Sequence, residues 1–277
     1  MKIIDSQIHV FYPNTPERPW QEGVTSRAPQ YTGEQASAQM DAAGVGRAIL
    51  VPPMLTGWDN EYALSYARAE PGRFAVMGRF NVEAADARAR LTNWRRQQGM
   101  LGIRIFFAGK PSMSMLTDRS YDWFWSECER SRMPLMGTIP GNIAGFEPLL
   151  ARYPGLRLTI DHAGLHPNGP KDEAAWADAD QLYALARHPN VAVKVSSLPS
   201  FSTEDYPFAN LHQHIRRIYD TFGPQRMLWG SDVTRLRSTY VENVRLFTEA
   251  LDFVSTEDKE WIMGRAAAAC CDWPLQA

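Results

Sequence analysis

The sequence has little cysteine and no excess of charge of one sign. Three of the 277 residues are cysteine, namely Cys128, Cys270 and Cys271, and their spacing matches neither a disulfide framework nor a zinc-binding pattern. A reducing, cytoplasmic environment is therefore expected. Lys and Arg number 29 against 31 Asp and Glu, which gives a net charge of −2. Without a basic stripe, neither a nucleic acid nor an anionic membrane is an expected partner.

Long apolar runs and several enzyme motifs are also missing. No segment approaches the ~18 apolar residues of a membrane span, and the opening MKIIDSQIHV turns acidic too early for a signal peptide. The sequence contains neither a P-loop nor an H-E-x-x-H motif. Residues 229–232, WGSD, lack the second glycine of a nucleophile elbow. What the sequence does provide is material for a large core, because 44% of its residues are hydrophobic.

The chain repeats a unit in which a short β-rich run is followed by a helical stretch. Strands are predicted over 3–10, 47–53, 73–80, 101–107, 134–140, 156–162, 191–197 and 226–232. Helices are predicted over 34–43, 60–70, 83–98, 119–132, 142–152, 173–187 and 205–222. This alternation is typical of parallel strands joined by crossover helices, and eight units in 277 residues match the size of a (β/α)8 TIM barrel. A doubly wound sheet is the alternative, but no glycine-rich phosphate loop follows the first strand. We therefore predict one α/β barrel domain over 1–277.

The barrel rule selects the candidate site residues, because active sites of such barrels lie at the carboxyl ends of the strands. On the first strand, Asp5, Gln7 and His9 stand at alternate positions and are expected on one face. Other polar candidates share a place at or near the end of a later strand, and these are Arg104, His162, His166, Lys194, Ser196 and Asp232. We interpret His9, His162 and Asp232 as the catalytic residues.

Several candidates allow two interpretations. Arg104 in an apolar strand needs an anionic partner, either an internal carboxylate such as Asp5 or the carboxylate of a substrate. Lys194, flanked by valines, is interpreted as one half of an ion pair inside the barrel. His166 either joins the site from a loop or caps that loop. His212 and His214 are assigned to a solvated helix face.

The segment 11–31 is long for a loop and contains aromatic and basic residues. It could fold over the barrel mouth as a lid, in which case Trp20 would contact the substrate, or it could pack as a static arm on a neighbouring subunit. A homodimer is therefore a possible assembly. After the last strand, Arg235 is a second candidate for binding a substrate carboxylate.

The order of the motifs IIDSQIHV, LGIRIFF, LTIDHAGL, VKVSSL and RMLWGSDV resembles the amidohydrolase superfamily. More narrowly, the pattern is similar to the amidohydrolase-related TIM-barrel hydrolases that include 2-pyrone-4,6-dicarboxylate lactonase. The resemblance implies a barrel that supports hydrolysis of esters, lactones or amides, often with a metal. It aligns the first-strand H-x-H of the family with Gln7-x-His9, the sixth-strand histidine with His162 and the eighth-strand aspartate with Asp232.

Two departures from the family pattern bear on the metal. Gln7 replaces the first histidine, and Gly137 and Thr138 stand on the fifth strand, where metal-dependent relatives have another histidine. An amide is a weak ligand for Zn²⁺, which prefers imidazole, thiolate and carboxylate. We therefore expect a site that works without a tightly bound metal or other cofactor.

The expected function is hydrolysis of a small lactone or ester, carrying a carboxylate, by activated water. His9 and His162 would hydrogen-bond the carbonyl, with Gln7 as a further donor, and Asp232 would act as general base. One alternative is a Zn- or Mn-dependent amidohydrolase or decarboxylase with His9, His162 and Asp232 as metal ligands. A second alternative is a barrel that binds a small molecule without catalysis.

Overall fold

All eight predicted strands are present in the computed structural model, which describes residues 1–109 and 111–275. They are β1 (Ile4–Ile8), β2 (Arg47–Leu50), β3 (Phe74–Gly78), β4 (Met100–Phe106), β5 (Pro134–Thr138), β6 (Arg157–Ile160), β7 (Val191–Ser196) and β8 (Met227–Gly230). Each observed strand lies within its predicted run, except that β4 begins one residue earlier. Residues 110, 276 and 277 of the predicted 1–277 domain lie outside the described residues.

The strands form one sheet in the order β1 to β8, and each neighbouring pair is parallel. Almost every strand residue is buried, as expected for a parallel sheet that is covered by helices on one face and encloses a packed interior on the other. The sheet curls into a nearly closed barrel. The predicted fold class, a single-domain (β/α)8 TIM barrel, is confirmed.

Hydrogen bonds from side chains and loops join β1 to β8 at the seam of the barrel. Ser6 Oγ donates to the Trp229 carbonyl at 2.7 Å, and the Asp232 amide donates to the Gln7 carbonyl at 2.8 Å. Gly230 permits this approach, since a Cβ atom there would lie 2.8 Å from Ser6 Oγ. The seam therefore fixes the end of β1 against the residues that follow β8.

Asp5 belongs to this seam rather than to the barrel interior. Its carboxylate accepts hydrogen bonds from the Ser231 amide, the Gln7 amide and the Tyr240 hydroxyl, at 2.8, 2.9 and 2.8 Å. Burial raises the pKa of Asp5 to about 6. The expectation that Asp5 shares a face with Gln7 and His9 is wrong, because the register of β1 is irregular between Asp5 and Ile8.

Eleven helices are present among the described residues. They are α1 (Gly33–Ala42), α2 (Glu61–Ala69), α3 (Ala87–Thr92), α4 (Ser114–Thr117), α5 (Asp122–Arg130), α6 (Glu147–Arg152), α7 (Ala179–Leu185), α8 (Ala209–Phe222), α9 (Tyr240–Arg245), α10 (Thr256–Glu260) and α11 (Ala266–Cys270). Each of the seven predicted helices overlaps one of them, but most are shorter. For example, the run 142–152 begins with a 3-10 turn at Ile143–Phe146 before α6. No described helix combines the length and apolarity that crossing a membrane requires.

The barrel interior is apolar at one end and polar at the other. An apolar cluster of Ile4, Ile49, Met77, Leu101 and Leu228 packs against the alanines of α11, which close the amino-terminal end of the barrel. Charged and polar side chains occupy the opposite end, where the strands finish. The functional residues are therefore expected at that carboxyl end.

Candidate active site

A buried charge network crosses the polar end of the barrel interior. Arg104 Nε on β4 donates to Asp161 Oδ2 at 2.9 Å, and Lys194 Nζ on β7 lies 3.0 Å from Asp161 Oδ1. Burial opposes the ionisation of Asp161, but the charges of Lys194 and Arg104 outweigh it and hold the pKa well below its ordinary range. The ion pair expected for Lys194 is thus present. Arg104 does have an internal carboxylate partner, but that partner is Asp161 and not Asp5.

Asp161 is not among the site residues predicted from the sequence, although this residue directly precedes His162 in the stretch TIDHAG. Its position beside a candidate histidine at the end of a strand was the available signal. Strand periodicity alone does not reveal that its carboxylate turns toward β4 and β7.

His9 is held with its Nε2 atom free to accept. Its Nδ1 atom lies 2.6 Å from the Val51 carbonyl oxygen, which can only accept, so the proton resides on Nδ1 in the neutral ring. Burial lowers the pKa of His9, against the opposing charge of Asp232. His9 is therefore a neutral imidazole whose Nε2 lone pair lies close to the Gln7 amide and to Asp232. This differs from the expectation that His9 donates a hydrogen bond to a substrate carbonyl.

Gln7 lies beneath His9 and is fully buried. Lys194 Nζ is 2.6 Å from Gln7 Oε1, and because an ammonium only donates, this contact identifies the amide oxygen. The amide nitrogen consequently faces His9 Nε2, at 3.3 Å. Gln7 is thus a donor, as expected, but its amide contacts His9 rather than a position that a substrate carbonyl could take.

His162 and Asp232 follow β6 and β8 in an unusual backbone conformation. Both have a φ of 52°, in the left-handed region that non-glycine residues seldom occupy and that is often found at functional sites. His162 Nδ1 lies 2.9 Å from Ser196 Oγ, and His162 Nε2 lies 3.8 Å from Asp232 Oδ2. Burial lowers the pKa of His162 to about 4, although the Asp232 charge opposes this shift.

Asp232 is a buried carboxylate with both oxygens available. His9 Nε2 is 3.4 Å from Asp232 Oδ1, and Arg235 Nε is 3.6 Å from Asp232 Oδ2. Within residues 1–109 and 111–275, neither oxygen has a hydrogen-bond partner. Buried polar atoms in proteins are almost always paired, so such an atom at the wall of a cavity is a functional candidate. We call His9, His162 and Asp232 the central cluster.

The central cluster lies in the wall of a cavity of about 610 Å³. Arg27, Arg104 and Arg235 also line this cavity. Arg235 donates from Nη2 to the Pro167 carbonyl at 2.7 Å. The arginines give the cavity a positive lining around one buried carboxylate.

His166 takes both of the roles considered for it. Its Nδ1 atom accepts a hydrogen bond from the Asn168 amide at 3.2 Å, which caps the loop after β6. Its side chain also lines the cavity. The structure therefore places His166 in the same cavity as the central cluster.

The segment 11–31 contributes a wall of the cavity through residues 24–27. Phe11 and Tyr31 pair as an antiparallel bridge, with N···O distances of 2.8 and 2.9 Å, and hold the two ends of the segment together. Trp20 is not among the described residues that line the cavity. Its indole Nε1 instead donates to the Tyr12 carbonyl at 2.8 Å, and its ring packs edge-on against Phe11, so the assignment of Trp20 to substrate contact needs correction.

The two histidines of α8 differ from each other. His214 is buried and stacks on Trp176, with ring centroids 4.3 Å apart. The assignment of His214 to a solvated face is therefore wrong, because the 3-10 turn Asp172–Trp176 covers that face of α8. His212 Nε2 contacts the Pro207 carbonyl at 2.9 Å, so this ring is also bonded.

The donor set meets the needs of a metal ion only in part. The ligands expected for the metal-dependent alternative are His9, His162 and Asp232, whereas a structural zinc ion normally takes four protein ligands and a catalytic one takes three plus water. At the position of the first family histidine, Gln7 presents an N–H group that does not ligate, while Lys194 occupies its oxygen. In the part of the chain that the structure describes, no group of three or more His, Cys, Asp or Glu side chains could hold a metal ion. The residues present therefore fit a metal poorly.

Residues 4–270 match the sequence model of the Amidohydrolase family, Amidohydro_2. The chain belongs to the amidohydrolase family. The predicted resemblance is thereby confirmed, and family membership makes the protein a hydrolase. The alternative of a barrel without catalysis is not supported.

This amidohydrolase is similar to two lactone hydrolases. It is 29% identical over 205 residues to the L-fucono-1,5-lactonase of Burkholderia ambifaria, a match that covers 70% of this chain and 67% of the relative. It is 25% identical over 231 residues to the 4-sulfomuconolactone hydrolase of Hydrogenophaga intermedia, covering 82% and 73%.

A solved structure has the same fold over the whole chain. An amidohydrolase of Burkholderia multivorans with bound zinc superposes with a TM-score of 0.79, at 24% identity, and the match covers 99% of this amidohydrolase and 100% of that chain. At this identity the likeness establishes the fold, and the zinc is a property of that relative.

Proposed function

We propose that the protein hydrolyses a small lactone or ester that carries a carboxylate, by activating water at Asp232 without a tightly bound metal. The observation that carries the proposal is the Asp232 carboxylate, buried at the cavity wall with no hydrogen-bond partner on either oxygen among the described residues. Two relatives named as a fuconolactonase and a sulfomuconolactone hydrolase support a lactone as the reacting group.

Asp232 acts as the general base in this proposal. It takes a proton from water, the water oxygen forms a bond to the carbonyl carbon, and the carbonyl electron pair moves onto its oxygen. Collapse of this tetrahedral species breaks the ring C–O bond, and the leaving oxygen receives the proton from Asp232. The product is a hydroxy acid, and no oxidant, reductant or second substrate is needed.

The two histidines have different roles. His9 forms the wall beside Asp232 without donating to the substrate, because its Nδ1 proton is used on the Val51 carbonyl and its Nε2 accepts from the Gln7 amide. His162 donates from Nε2 to the developing oxyanion when the Ser196 hydroxyl donates to Nδ1. Low pKa values keep both rings neutral at pH 7.

Arginine side chains of the cavity bind the substrate carboxylate. Arg104 donates from Nε to Asp161. The terminal nitrogens of Arg104 therefore remain for a substrate in the cavity that Arg104 lines. Arg27 and Arg235 line the same cavity. Guanidinium groups bind carboxylates by paired hydrogen bonds that orient the substrate as well as hold it.

Charge balance supports catalysis without a metal. Arg104 and Lys194 bring two positive charges to Asp161, Arg235 lies beside Asp232, and Arg27 adds a further positive charge at the cavity. A divalent cation would therefore enter a neutral or positive site, where the electrostatic gain from binding is small. The competing possibility is a Zn- or Mn-dependent hydrolase or decarboxylase, for which the zinc in the B. multivorans relative is the supporting observation.

A hydrolysis screen tests the proposal. Purified protein is offered five- and six-membered lactones with and without a carboxylate, activated esters, and aryl carboxylates that report decarboxylation. We expect hydrolysis of carboxylate-bearing lactones and no release of CO2. Decarboxylation without lactone hydrolysis would contradict the proposal. The cytoplasmic location and the homodimer stay predictions.

A further inference from the structure

Lys194 is a fully buried lysine whose ammonium contacts two buried side chains of the barrel interior. Its ammonium lies 3.0 Å from Asp161 Oδ1 and 2.6 Å from Gln7 Oε1. Asp161 already has a second cationic partner in Arg104. The contact with Gln7 therefore needs an explanation beyond the neutralisation of Asp161.

We propose that the Gln7 amide, held by Lys194 with its nitrogen toward His9, keeps divalent metal ions out of the central cluster. Lys194 is a positioning residue in this account, and Gln7 is the group that acts on the cluster. The inference deepens the metal-independent part of the proposed function and rests on it.

Three hydrogen-bond assignments agree on the orientation of the amide. The ammonium donates, so the oxygen of Gln7 faces Lys194. The nitrogen then faces His9 Nε2. His9 Nε2 can accept because its other nitrogen donates to the Val51 carbonyl. The orientation is therefore set by donors and acceptors on three different strands or strand ends.

This orientation denies a metal ion two ligand atoms, one on His9 and one on Gln7. The N–H of Gln7 engages the lone pair of His9 Nε2, which a metal would need as a ligand. The amide nitrogen itself does not ligate, because its lone pair is delocalised into the carbonyl. Rotating the amide to offer its oxygen would break the 2.6 Å bond and turn the NH2 group toward the Lys194 ammonium.

The test measures metal binding in the absence of any substrate. Wild type, Gln7→Glu, Lys194→Met and the control Lys259→Met are stripped of metal and titrated with ZnCl2 by calorimetry. Lys259 is a suitable control because it lies on α10, away from the central cluster, where its Nζ donates to the Thr248 carbonyl at 3.2 Å. Titration with CoCl2 adds visible absorption bands that report the geometry of ligation.

Gln7→Glu replaces the blocking NH2 group by an oxygen of similar size. Lys194 can still hold the other oxygen of the side chain. We expect Gln7→Glu to bind zinc at least ~100-fold more tightly than wild type, and Lys194→Met to bind at least ~10-fold more tightly, the range by which neighbours of metal ligands change affinity. Lys259→Met should match wild type. Cobalt bands should appear in the first two variants only.

Two results would overturn the inference. One is a Gln7→Glu variant that binds zinc no more tightly than wild type, and the other is a wild type that binds one equivalent as tightly as the variant. Tighter binding by Gln7→Glu with no change in a folded Lys194→Met would overturn the role of Lys194. If Lys194→Met does not fold, Gln7→Glu decides the inference alone. Failure of wild type to hydrolyse any lactone would refute the proposed function and leave the zinc comparison intact.

Discussion

His9 Nε2 and Asp232 Oδ1 lie 3.4 Å apart at the seam where the first and last strands of the barrel meet. The amide of Asp232 donates to the Gln7 carbonyl, two residues before His9, so the backbone itself sets this separation. The arrangement places an acceptor nitrogen beside a carboxylate that has no hydrogen-bond partner among the described residues. The general-base role that we propose for Asp232 places the attacking water beside this pair.

Asp232→Asn removes the base while keeping the size of the side chain. We expect kcat on a responsive lactone to fall by about 100- to 10,000-fold, the usual contribution of general acid and base catalysis. The matched control is Asp180→Asn on α7, whose side chain is 84% exposed and pairs with Arg217. Steady-state kinetics check both variants, and an unchanged kcat in Asp232→Asn would exclude the proposed base.

The rate should be insensitive to pH across the range in which histidines usually titrate. Burial lowers the pKa of His162 to about 4 and also lowers that of His9, so both rings remain neutral as the pH falls through 6.5. We expect the kcat/KM profile to show no inflection at pH 6.5 and to fall toward pH 4, where His162 becomes protonated. An inflection at pH 6.5 in the kcat/KM profile would contradict the neutral, buried state of these rings.

Stability should also depend on pH through His162. Its pKa is lowered on folding, so between pH 6.5 and about 4 the unfolded chain binds a proton that the native ring refuses, and stability falls as the pH falls. A shift of this size corresponds to about 3 kcal/mol. Asp5 acts in the opposite direction, since its pKa is raised to about 6 and stability therefore rises as the pH falls through 6.

Comparison of variants separates these two contributions. The difference in unfolding free energy between wild type and His162→Gln should decrease from pH 7 to pH 4, as measured by urea denaturation at each pH. The Asp5 contribution is common to both proteins and cancels. A difference that is constant with pH would show that His162 has no lowered pKa.

Asp161 should be the most important carboxylate for stability. Asp161→Asn leaves the buried cations Arg104 and Lys194 without their counter-ion, and breaking a buried pair in this way costs about 3–5 kcal/mol. Asp180→Asn, which breaks an exposed pair, should cost less than about 1 kcal/mol. Urea denaturation measures both values, and equal losses would mean that the buried network is not stabilising.

Arg235→Gln tests the binding of an anionic substrate. Arg235 lines the cavity and is 39% exposed, so its removal should raise KM for a carboxylate-bearing lactone by about 10-fold or more, the value of one hydrogen bond to a charged group. KM for an uncharged lactone should change little. Arg216→Gln, on the exposed face of α8, is the control. An equal effect on charged and uncharged lactones would assign Arg235 a structural role instead.

The sequence predicts the barrel because eight short β-rich runs alternate with helical stretches, as in parallel strands joined by crossover helices. The strand-end rule also selects His9, His162 and Asp232, since carboxyl ends of parallel strands meet at one rim. The sequence does not predict which side chains on different strands contact each other. That Arg104 pairs with Asp161, and that Val51 fixes the tautomer of His9, depends on the register and closure of the barrel.

Local irregularities account for the remaining differences. A register irregularity in β1 turns Asp5 away from Gln7, although strict alternation places them on one face. Trp20 lies in a long loop, where the hydrogen bond to Tyr12 fixes the indole in a way that no periodic pattern encodes. His214 is buried by Trp176 from a turn that is 38 residues earlier in the chain.

The most direct test of the central claim is kcat/KM for a carboxylate-bearing lactone, measured on protein stripped of zinc and manganese. The content of either metal should be below about a tenth of an equivalent per catalytic site. We expect a rate equal to that of untreated protein and no increase on adding Zn²⁺ or Mn²⁺. Loss of hydrolysis in the stripped protein, restored by one equivalent of either metal, would contradict it.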